Sequence, residues 1–495
     1  MEMNNLLIQT ENGNNYLYSI DRKEFLVIAP ILYEILDCYF KSGDIEELKI
    51  TLNSKFDQND VNYYYNYFTF LRKNKYLTSS QQMFVDKYNG SDLEFNIANI
   101  NHIIFETTQS CNLNCKYCGF GNLYNKNTER NNTKMQFAIA KTFIDYIIDK
   151  LNSNNNSSYQ KPLCLSFYGG EPLLNFDLIK EIVEYISKKK LHSNFITYSL
   201  TTNATFLFKY IDFLHDNNFS ILVSLDGNRE NDSYRTFHNH KPSFDLVMRN
   251  LQRVRDKYPK YFSKIRYNSV LHNKNSVDEI HTFFQNHFSV LPQISELNCS
   301  NLNDELTAEF NSKFKSMLQD TRQSQNYTTL NKDFFIGLPE VRSIADLLFS
   351  NSSIVYKDYS ELVNGKNKHI PTATCSPFSR RLFLTVEGNI LPCEKVSHNF
   401  VLGKVTARGV DINFKNVAQM YNNYLQSIHK RQCYNCYKNT TCNQCIFMMK
   451  ESNGMFSCYA HNNNTQQVKD LSKRLSYFET NREYFDEIIN TVNIV

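Results

Sequence analysis

The sequence predicts an α/β fold built on a parallel sheet, and three observations lead to this prediction. Apolar runs typical of buried strands alternate with helical apolar spacing six times between residues 102 and 297. Strands that alternate with helices pair in parallel through right-handed crossovers. Glycine-rich and polar segments follow the strands, where ligand sites of α/β folds lie. Six units are too few for a closed eight-fold barrel, so we expect an open, partial (β/α)6 barrel.

The six units follow one another along the chain. HIIFETTQS, from His102 to Ser110, is the first strand, and apolar residues at helical spacing follow it from Phe137 to Leu151. The later strands are predicted at residues 163–167, 195–203, 219–227, 264–272 and 293–297, and the later helices at residues 173–190, 206–215, 244–258 and 276–288.

Three cysteines follow the first predicted strand. Cys111, Cys115 and Cys118 are spaced Cys-x3-Cys-x2-Cys, and Tyr117 precedes the last of them. A four-iron cluster ordinarily takes four thiolates, so three leave one iron open. Catalytic metal sites keep such a position vacant for substrate. A zinc site is the alternative for three close cysteines, but the strand, loop and helix context favours the cluster.

This motif resembles the signature of the radical S-adenosylmethionine (SAM) enzymes. The resemblance implies that the open iron binds S-adenosylmethionine, whose reductive cleavage yields a 5′-deoxyadenosyl radical that abstracts a hydrogen from substrate. The cofactors supply this chemistry, while the protein positions them and excludes water. A reductant protein such as a flavodoxin or ferredoxin is implied as a partner.

Polar motifs after the later strands occur in the order that the resemblance implies. The glycines of GGEP let the backbone approach a ligand closely, and the resemblance places Glu171 beside the cofactor's amino group. Arg235 resembles the arginine that pairs with the cofactor's carboxylate. The implied cofactor contacts are Tyr117, Gly169, Gly170, Glu171, Asn203, Ser224, Asp226 and Arg235. An ordinary turn is the alternative for GGEP, and turn capping with a surface ion pair is the alternative for Ser224, Asp226 and Arg235.

Seven further cysteines lie in the last third of the chain: Cys375, Cys393, Cys433, Cys436, Cys442, Cys445 and Cys458. Their pattern, Cys-x12-Gly-x4-Cys around Gly388 and then Cys-x2-Cys-x5-Cys-x2-Cys, resembles the SPASM domain. That domain carries two auxiliary iron–sulfur clusters on radical enzymes that modify peptides and proteins. The family usually has three residues between the last two cysteines of the run, whereas Cys442 and Cys445 have two.

The resemblance divides these cysteines between two clusters. It implies that Cys433, Cys436, Cys442 and Cys458 bind one cluster completely. Cys375, Cys393 and Cys445 give the other cluster three thiolates, with a non-cysteine side chain, Cys299 or the substrate as the fourth ligand. Taken alone, two Cys-x2-Cys pairs favour a zinc ribbon. Beside the radical motif they favour iron and sulfur, so we expect three [4Fe-4S] clusters in all.

The N-terminal residues predict a separate module. Three short strands between Leu6 and Ala29 precede three helical runs that begin at Pro30. This order resembles the winged-helix recognition element of enzymes that modify ribosomally made peptides. In such elements the leader of the precursor peptide adds a strand to an exposed sheet edge. A dimerisation or barrel-capping extension is the alternative.

Length and composition set further limits. A chain of 495 residues exceeds one core. The predicted parts are the winged-helix-like element 1–95, the barrel 100–330, a bridging region 331–372, the cysteine-rich domain 373–465 and a C-terminal helix 466–495. A net charge of +4 does not indicate a nucleic-acid surface. The chain has neither an apolar run of about 20 residues nor a signal peptide, and its clustered thiols fit a reducing compartment, so we expect a cytoplasmic protein that contacts no membrane.

The sequence therefore predicts a radical SAM enzyme that modifies a ribosomally made precursor peptide carrying a leader. An anaerobic sulfatase-maturing enzyme, which forms formylglycine, is the first alternative, although the N-terminal module argues against it. A non-catalytic metal-binding or electron-transfer protein is the alternative of another class. No catalytic acid or base is identified, and four acidic residues that match no motif are expected to be solvated: Glu296, Asp304, Glu305 and Glu309.

Overall fold

The structure is a computed structural model. It describes residues 2–20, 22–43, 45–80, 86–124, 132–157, 161–192, 194–298, 302–334, 339–350, 372–439, 442, 444–452 and 455–491. The strands are β1 (Glu2–Asn4), β2 (Leu6–Gln9), β3 (Asn15–Ser19), β4 (Glu24–Val27), β5 (Thr78–Ser80), β6 (His102–Thr108), β7 (Pro162–Gly169), β8 (Phe195–Thr202), β9 (Ser220–Ser224), β10 (Arg266–Leu271), β11 (Gln293–Glu296), β12 (Leu382–Leu384), β13 (Asn389–Leu391), β14 (Gly403–Thr406), β15 (Gly409–Asp411), β16 (Lys450–Ser452) and β17 (Met455–Ser457).

The helices complete the element order. They are α1 (Pro30–Ser42), α2 (Glu46–Asn53), α3 (Gln58–Lys73), α4 (Gly90–Ala98), α5 (Phe137–Leu151), α6 (Phe176–Ile186), α7 (Leu207–Asp216), α8 (Phe244–Lys257), α9 (Pro259–Phe262), α10 (Val277–Phe288), α11 (Thr307–Lys313), α12 (Met317–Gln323), α13 (Tyr327–Asp333), α14 (Pro339–Ser350), α15 (Phe414–Arg431), α16 (Asn464–Thr480) and α17 (Glu483–Thr491). None of these described helices is both long and apolar enough to cross a bilayer.

The central sheet has ten strands in the order β11-β10-β9-β8-β7-β6-β12-β13-β14-β15. The six strands from β6 to β11 are neighbours in chain order, and every pair among them is parallel. This confirms the predicted parallel α/β sheet. The sheet ends at β11 and β15 and does not close on itself within the described part of the chain.

Alternation along β7 shows how the barrel sheet is covered. Leu163, Leu165 and Phe167 are each 1% exposed and belong to the core that includes side chains of α5 and α6. Cys164 and Ser166 lie on the opposite face and are half-buried. Parallel sheets are usually buried under helices on both faces. The partly exposed polar face of β7 is therefore the side of this sheet that the helices do not cover, here called the uncovered face.

The strand β12 joins this sheet directly beside β6, which the sequence did not predict. Leu382, Phe383 and Leu384 pair in parallel with residues 103–105, and the antiparallel strands β13, β14 and β15 follow. Residues 382–411 therefore continue the barrel sheet, although the sequence assigns them to the separate cysteine-rich region 373–465. The run RLFLTV is apolar enough for a buried strand. The cysteines on both sides of it led to its assignment to the cysteine-rich domain.

The N-terminal elements match the predicted order of three strands and three helices. The strands β2, β3 and β4 form an antiparallel sheet, and α1 and α3 pack on it around Leu17, Ile35 and Phe68. A short pair between β1 and β5 was not predicted. The helix α4 packs against α5 and α15, so the chain already belongs to the barrel side at residue 90 instead of residue 100.

The C-terminal region contains two helices, so the single predicted helix over residues 466–495 is wrong. The chain leaves helical geometry at Asn481, whose φ is −121° and ψ is 59°. Within the predicted bridging region 331–372, α14 packs Val341, Ile344 and Leu348 with Ile488 of α17. Residues 351–371 lie outside the described part of the chain.

Candidate active site

Residues 111–118, here called the cluster loop, bring three thiols together after β6. Burial raises the pKa of the Cys115 thiol to about 12, and the Cys111 and Cys118 thiols add to this shift, while Arg235 opposes it. The loop is held by a neighbouring segment, because Asn114 N–H donates to the Thr236 carbonyl at 2.7 Å. Since iron binds the thiolate, metal binding has to displace a proton from Cys115.

The two glycines of GGEP allow β7 to approach the chain that enters the cluster loop. A Cβ on Gly169, whose φ is +129°, would lie 2.2 Å from the Thr108 carbonyl oxygen, and a Cβ on Gly170 would lie 2.0 Å from that of Ser110. Gly170 N–H donates to Thr108 O at 2.8 Å, and Glu171 N–H donates to Ser110 O at 2.9 Å. Glycine is therefore needed here for packing against the cluster loop's stem.

Glu171 ties the ends of β7 and β8 together. Its side chain is buried, Oε1 accepts from Leu173 N–H at 3.1 Å and from the Thr202 hydroxyl at 2.7 Å, and Oε2 accepts from Asn203 N–H at 2.7 Å. Burial raises the pKa of this carboxyl to about 7, against the lowering effect of the hydrogen bonds. Both oxygens thus contact protein donors, so Glu171 positions the loop that carries Asn203.

Replacing Glu171 by glutamine is expected to lower the free energy of unfolding by about 1–3 kcal/mol. Either orientation of the amide directs its NH2 group at a backbone N–H, that of Leu173 or that of Asn203. Urea denaturation measures the loss. Glu181→Gln, at an exposed position on α6, is the matched control and should leave stability unchanged. Equal stability of the two variants would show that the hydrogen bonds of Glu171 do not hold the ends of β7 and β8 together.

Asn203 reaches the cluster loop itself. Its Nδ2 donates to Asn112 Oδ1 at 2.9 Å and lies 3.9 Å from Cys111 Sγ, and its Oδ1 accepts from Thr205 N–H at 3.0 Å. His238 Nε2 lies 2.9 Å from the Cys111 carbonyl oxygen. Sequence reasoning missed Asn112, Thr205 and His238, although Asn112 stands inside the cysteine motif and Thr205 inside TTNAT.

A buried charged cluster lies beneath the cluster loop. The Tyr117 hydroxyl donates to Asp226 Oδ2, and Arg235 Nη1 donates to the Tyr117 oxygen at 3.0 Å. Arg235 Nε lies 3.7 Å from Asp232 Oδ1, and His272 Nε2 lies 3.6 Å from Asp226 Oδ2. Asp226 is fully buried and Arg235 is 7% exposed. The alternative of a surface ion pair is therefore wrong for Asp226 and Arg235.

The expected cofactor contacts Arg235 and Ser224 lie in different surroundings. Arg235 directs its guanidinium at Tyr117 and Asp232, so the contacts seen are with protein groups. Ser224 is half-buried at the end of β9, in register with Asn268. Asp232 and His272 were not singled out from the sequence, because neither stands in a recognisable motif.

Four of the C-terminal cysteines line one cavity of about 260 Å³: Cys433, Cys436, Cys442 and Cys458. Asn462 N–H lies 3.4 Å from Cys436 Sγ, and Gln444 N–H lies 3.5 Å from Cys442 Sγ. Lys438, Arg474 and Asp346 also line the cavity, where Arg474 pairs with Asp346 and Lys438 pairs with Asp470. Four thiols with N–H donors to sulfur are a donor set that suits a [4Fe-4S] cluster.

Cys375, Cys393 and Cys445 form a separate group around Tyr421. All three thiols act electrostatically on the fully buried Tyr421 hydroxyl, and burial raises the pKa of both Cys393 and Cys445. Gly388 allows the turn before Cys393, since its φ is +83° and a Cβ would lie 2.3 Å from the Val405 carbonyl oxygen. Cys299, a predicted candidate for the fourth ligand, lies outside the described residues.

Two further observations limit the site. Across the described ranges, no group of three or more His, Cys, Asp or Glu side chains is placed to hold a single metal ion. A cluster spreads its thiolates over several irons, so the relevant observation is which thiols share a space. The four acidic residues that matched no motif are exposed as expected: Glu296, Asp304, Glu305 and Glu309.

Comparisons with known proteins match the barrel region and longer parts of the chain. The Radical SAM superfamily matches residues 105–285, which include the cluster loop and GGEP. An uncharacterized protein of Methanocaldococcus jannaschii is 39% identical over 143 residues, 29% of this chain and 44% of that protein. The cysteine-type anaerobic sulfatase-maturating enzyme of Clostridium novyi is 25% identical over 371 residues, 71% of this chain and 88% of that enzyme. The radical SAM cyclopropyl synthase TigE of Paramaledivibacter caminithermalis is 28% identical over 172 residues, 33% of this chain and 34% of that enzyme.

The chain thus spans less than half the length of two of these relatives. Among solved structures, native anSMEcpe with bound AdoMet and Cp18Cys peptide aligns with a TM-score of 0.54 at 17% identity, covering 80% of this chain and all of that one. This likeness supports the fold. The match of the Radical SAM superfamily to residues 105–285 shows that the chain contains a radical SAM domain.

Proposed function

We propose that the chain is a radical SAM maturase that installs a modification, such as a cross-link or thioether, in a ribosomally made precursor peptide. The observation that carries this proposal is that ten cysteines fall into three groups: three on the cluster loop, four around the C-terminal cavity and three near Tyr421. A [4Fe-4S] cluster and S-adenosylmethionine at the first group would supply a 5′-deoxyadenosyl radical. SPASM-type auxiliary clusters at the other two groups are typical of radical enzymes that act on peptides and proteins.

The protein's own residues prepare the radical site. Cys111, Cys115 and Cys118 would hold the cluster on a loop fixed by backbone hydrogen bonds to residues 234–236. Asn203 and Glu171 order the edge of the sheet beside Cys111. Of the remaining expected cofactor contacts, Ser224 and Asp226 lie at the end of β9, and the buried Tyr117 contacts both Asp226 and Arg235. The polar uncovered face of the sheet would admit the peptide segment to be modified.

The exposed edge of β4 supports a peptide substrate. Ile28 N–H donates to the Asn15 carbonyl at 3.0 Å, and antiparallel pairs alternate, so Phe25 and Val27 direct their backbone groups away from β3. Val27 is 69% exposed. The opposite edge, β2, is covered by α16, whose Ser472 hydroxyl donates to the Gln9 carbonyl at 2.6 Å. A leader peptide would therefore add its strand to β4.

Replacing Val27 by proline is expected to weaken leader binding about tenfold, because it removes an outward N–H without removing a bond to β3. Fluorescence anisotropy of a labelled precursor peptide with the full-length protein measures this change. Val27→Thr keeps the N–H and is the matched control, with unchanged affinity. If Val27→Pro and Val27→Thr bind the leader equally, β4 does not receive it.

Sulfatase maturation is the second candidate, favoured by the extent of the similarity to the Clostridium novyi enzyme. The two candidates differ in substrate. The reconstituted enzyme is incubated without oxygen with a candidate precursor peptide and, separately, with a peptide that carries a sulfatase active-site cysteine. Modification of the leader-bearing peptide alone supports the proposed function, whereas formylglycine in the second peptide supports sulfatase maturation.

A further inference from the structure

A row of polar side chains crosses the uncovered face of the barrel sheet. His102 lies opposite Cys164 in register, and Ser166 lies opposite Ser199, so these residues occupy neighbouring positions on β6, β7 and β8. They alternate with the apolar side chains that face the helices, such as Leu165. The residues of this row belong neither to the cluster loop nor to GGEP nor to the cysteine-rich region.

The members of the row are hydrogen-bonded in series. His102 Nε2 lies 2.6 Å from Ser166 Oγ, and the Ser166 and Ser199 hydroxyls share a hydrogen bond. Cys164 Sγ lies 3.6 Å from both hydroxyl oxygens and flanks the row. A serine hydroxyl donates and accepts at the same time, so the two serines can pass a proton along the series.

The row continues towards Cys393. The pairing of β12 with β6 places Arg381 beside His102, and Arg381 Nη1 lies 3.0 Å from Glu394 Oε1. Glu394 follows Cys393 directly in the chain. The series therefore links the interior of the barrel with one of the groups of thiols assigned to an auxiliary cluster.

We propose that Ser199, Ser166 and His102 form a proton path from the substrate space, with His102 as the acceptor, coupled through Arg381 and Glu394 to the cluster at Cys393. This inference rests on the proposed function. When a peptide C–H bond has lost its hydrogen atom, formation of a new bond to a heteroatom releases one proton and one electron. The proton would pass to His102 Nε2, and an auxiliary cluster held by Cys375, Cys393 and Cys445 would supply the one-electron acceptor.

The surroundings of His102 favour its neutral form. Burial lowers its pKa, Arg381 and Arg380 lower it further, and Glu394 raises it. The half-buried Cys164 flanks the row, and alternation along β6 and β7 places Glu106 and Tyr168 on the same face of the sheet. A lowered pKa keeps the imidazole neutral at neutral pH, so it can accept a proton, and this capacity is lost as the pH falls through that pKa.

The test needs no peptide, so failure to find the substrate leaves it intact. The reconstituted full-length protein carrying Cys111→Ala, Cys115→Ala and Cys118→Ala is titrated reductively between pH 5.5 and pH 8 and followed by electron paramagnetic resonance. In that background only auxiliary clusters give signals. The midpoint potential of one cluster should fall as the pH rises, because reduction favours protonation of a coupled base. His102→Gln should remove this pH dependence.

His215→Gln, on the outer surface of α7, is the matched control and should keep the pH dependence. Identical slopes in the native-histidine and His102→Gln proteins would overturn the proposal, as would the absence of any auxiliary signal. With a precursor peptide, His102→Gln and Ser199→Ala should each retain 5′-deoxyadenosine formation while modified peptide falls at least tenfold. Loss of both products together would assign the row a structural role instead.

Discussion

Replacing Cys111, Cys115 and Cys118 together by alanine is expected to abolish 5′-deoxyadenosine formation while auxiliary iron remains bound. The three thiols lie on one loop after β6, far along the chain from the seven thiols of residues 375–458. Three four-iron clusters require about twelve irons per chain, so the variant should retain about eight. Iron analysis and chromatography of the reduced protein with S-adenosylmethionine measure both quantities.

The matched variant for this experiment removes a cysteine outside the three groups. Cys38→Ala, on α1 in the N-terminal module, should retain all the iron and full cleavage of S-adenosylmethionine. Continued cleavage in the triple variant would show that the radical cluster is elsewhere. Loss of all iron from the triple variant would show that the cysteine groups are not independent sites.

Replacing Gly170 by alanine is expected to lower the rate of S-adenosylmethionine cleavage at least about 100-fold. The new Cβ would lie 2.0 Å from the Ser110 carbonyl oxygen and 2.4 Å from its carbonyl carbon, and both are backbone atoms that cannot rotate away. Either β7 or the stem of the cluster loop has to move. Misplacement of reacting groups by about 1 Å can cost a factor of this size.

The matched control for Gly170→Ala is Gly409→Ala at the start of β15. No atom outside its chain neighbours lies within 4 Å of a Cβ at Gly409, so this variant should cleave S-adenosylmethionine at the native rate. Iron content and thermal unfolding of both variants accompany the rate. A native rate for Gly170→Ala would show that the close approach of GGEP to the cluster loop is not required.

Much of the barrel could be predicted because its strands carry local signals. The run from Ile103 to Phe105 and the alternation around Leu163 and Leu165 fix strands, and the helical crossovers between them make neighbouring strands parallel. The N-terminal strands and helices were equally clear, since turn residues and Pro30 delimit them. These signals act over a few residues, and the structure confirms the sheet that they predict.

Contacts between distant segments could not be predicted in the same way. The pairing of β12 with β6 joins residues about 280 positions apart, and a three-residue strand has no pattern that names its partner. The buried cluster of Asp232, Arg235 and His272 likewise depends on how the segment that carries Asp232 and Arg235 meets the end of β10. The resemblance implied that Arg235 pairs with the cofactor's carboxylate. In the structure its guanidinium contacts Tyr117 and Asp232.

The grouping of the C-terminal cysteines could be predicted in part. The resemblance implied that Cys433, Cys436, Cys442 and Cys458 act together, and the structure places these four around one cavity. Only two residues separate Cys442 from Cys445. Cys445 nevertheless lies near Cys375, whereas Cys442 lines the cavity. The ligand sets themselves stay a prediction that iron analysis of single-group variants can test.

The most direct test of the account is the intact mass of a short peptide encoded beside this gene, after anaerobic co-expression with the enzyme in D2O. The account predicts a loss of two hydrogens or a multiple of two, located by fragmentation outside the leader. Incorporation of one deuterium without other change would instead identify epimerisation by the same radical chemistry. An unchanged mass with no deuterium incorporated would contradict peptide maturation.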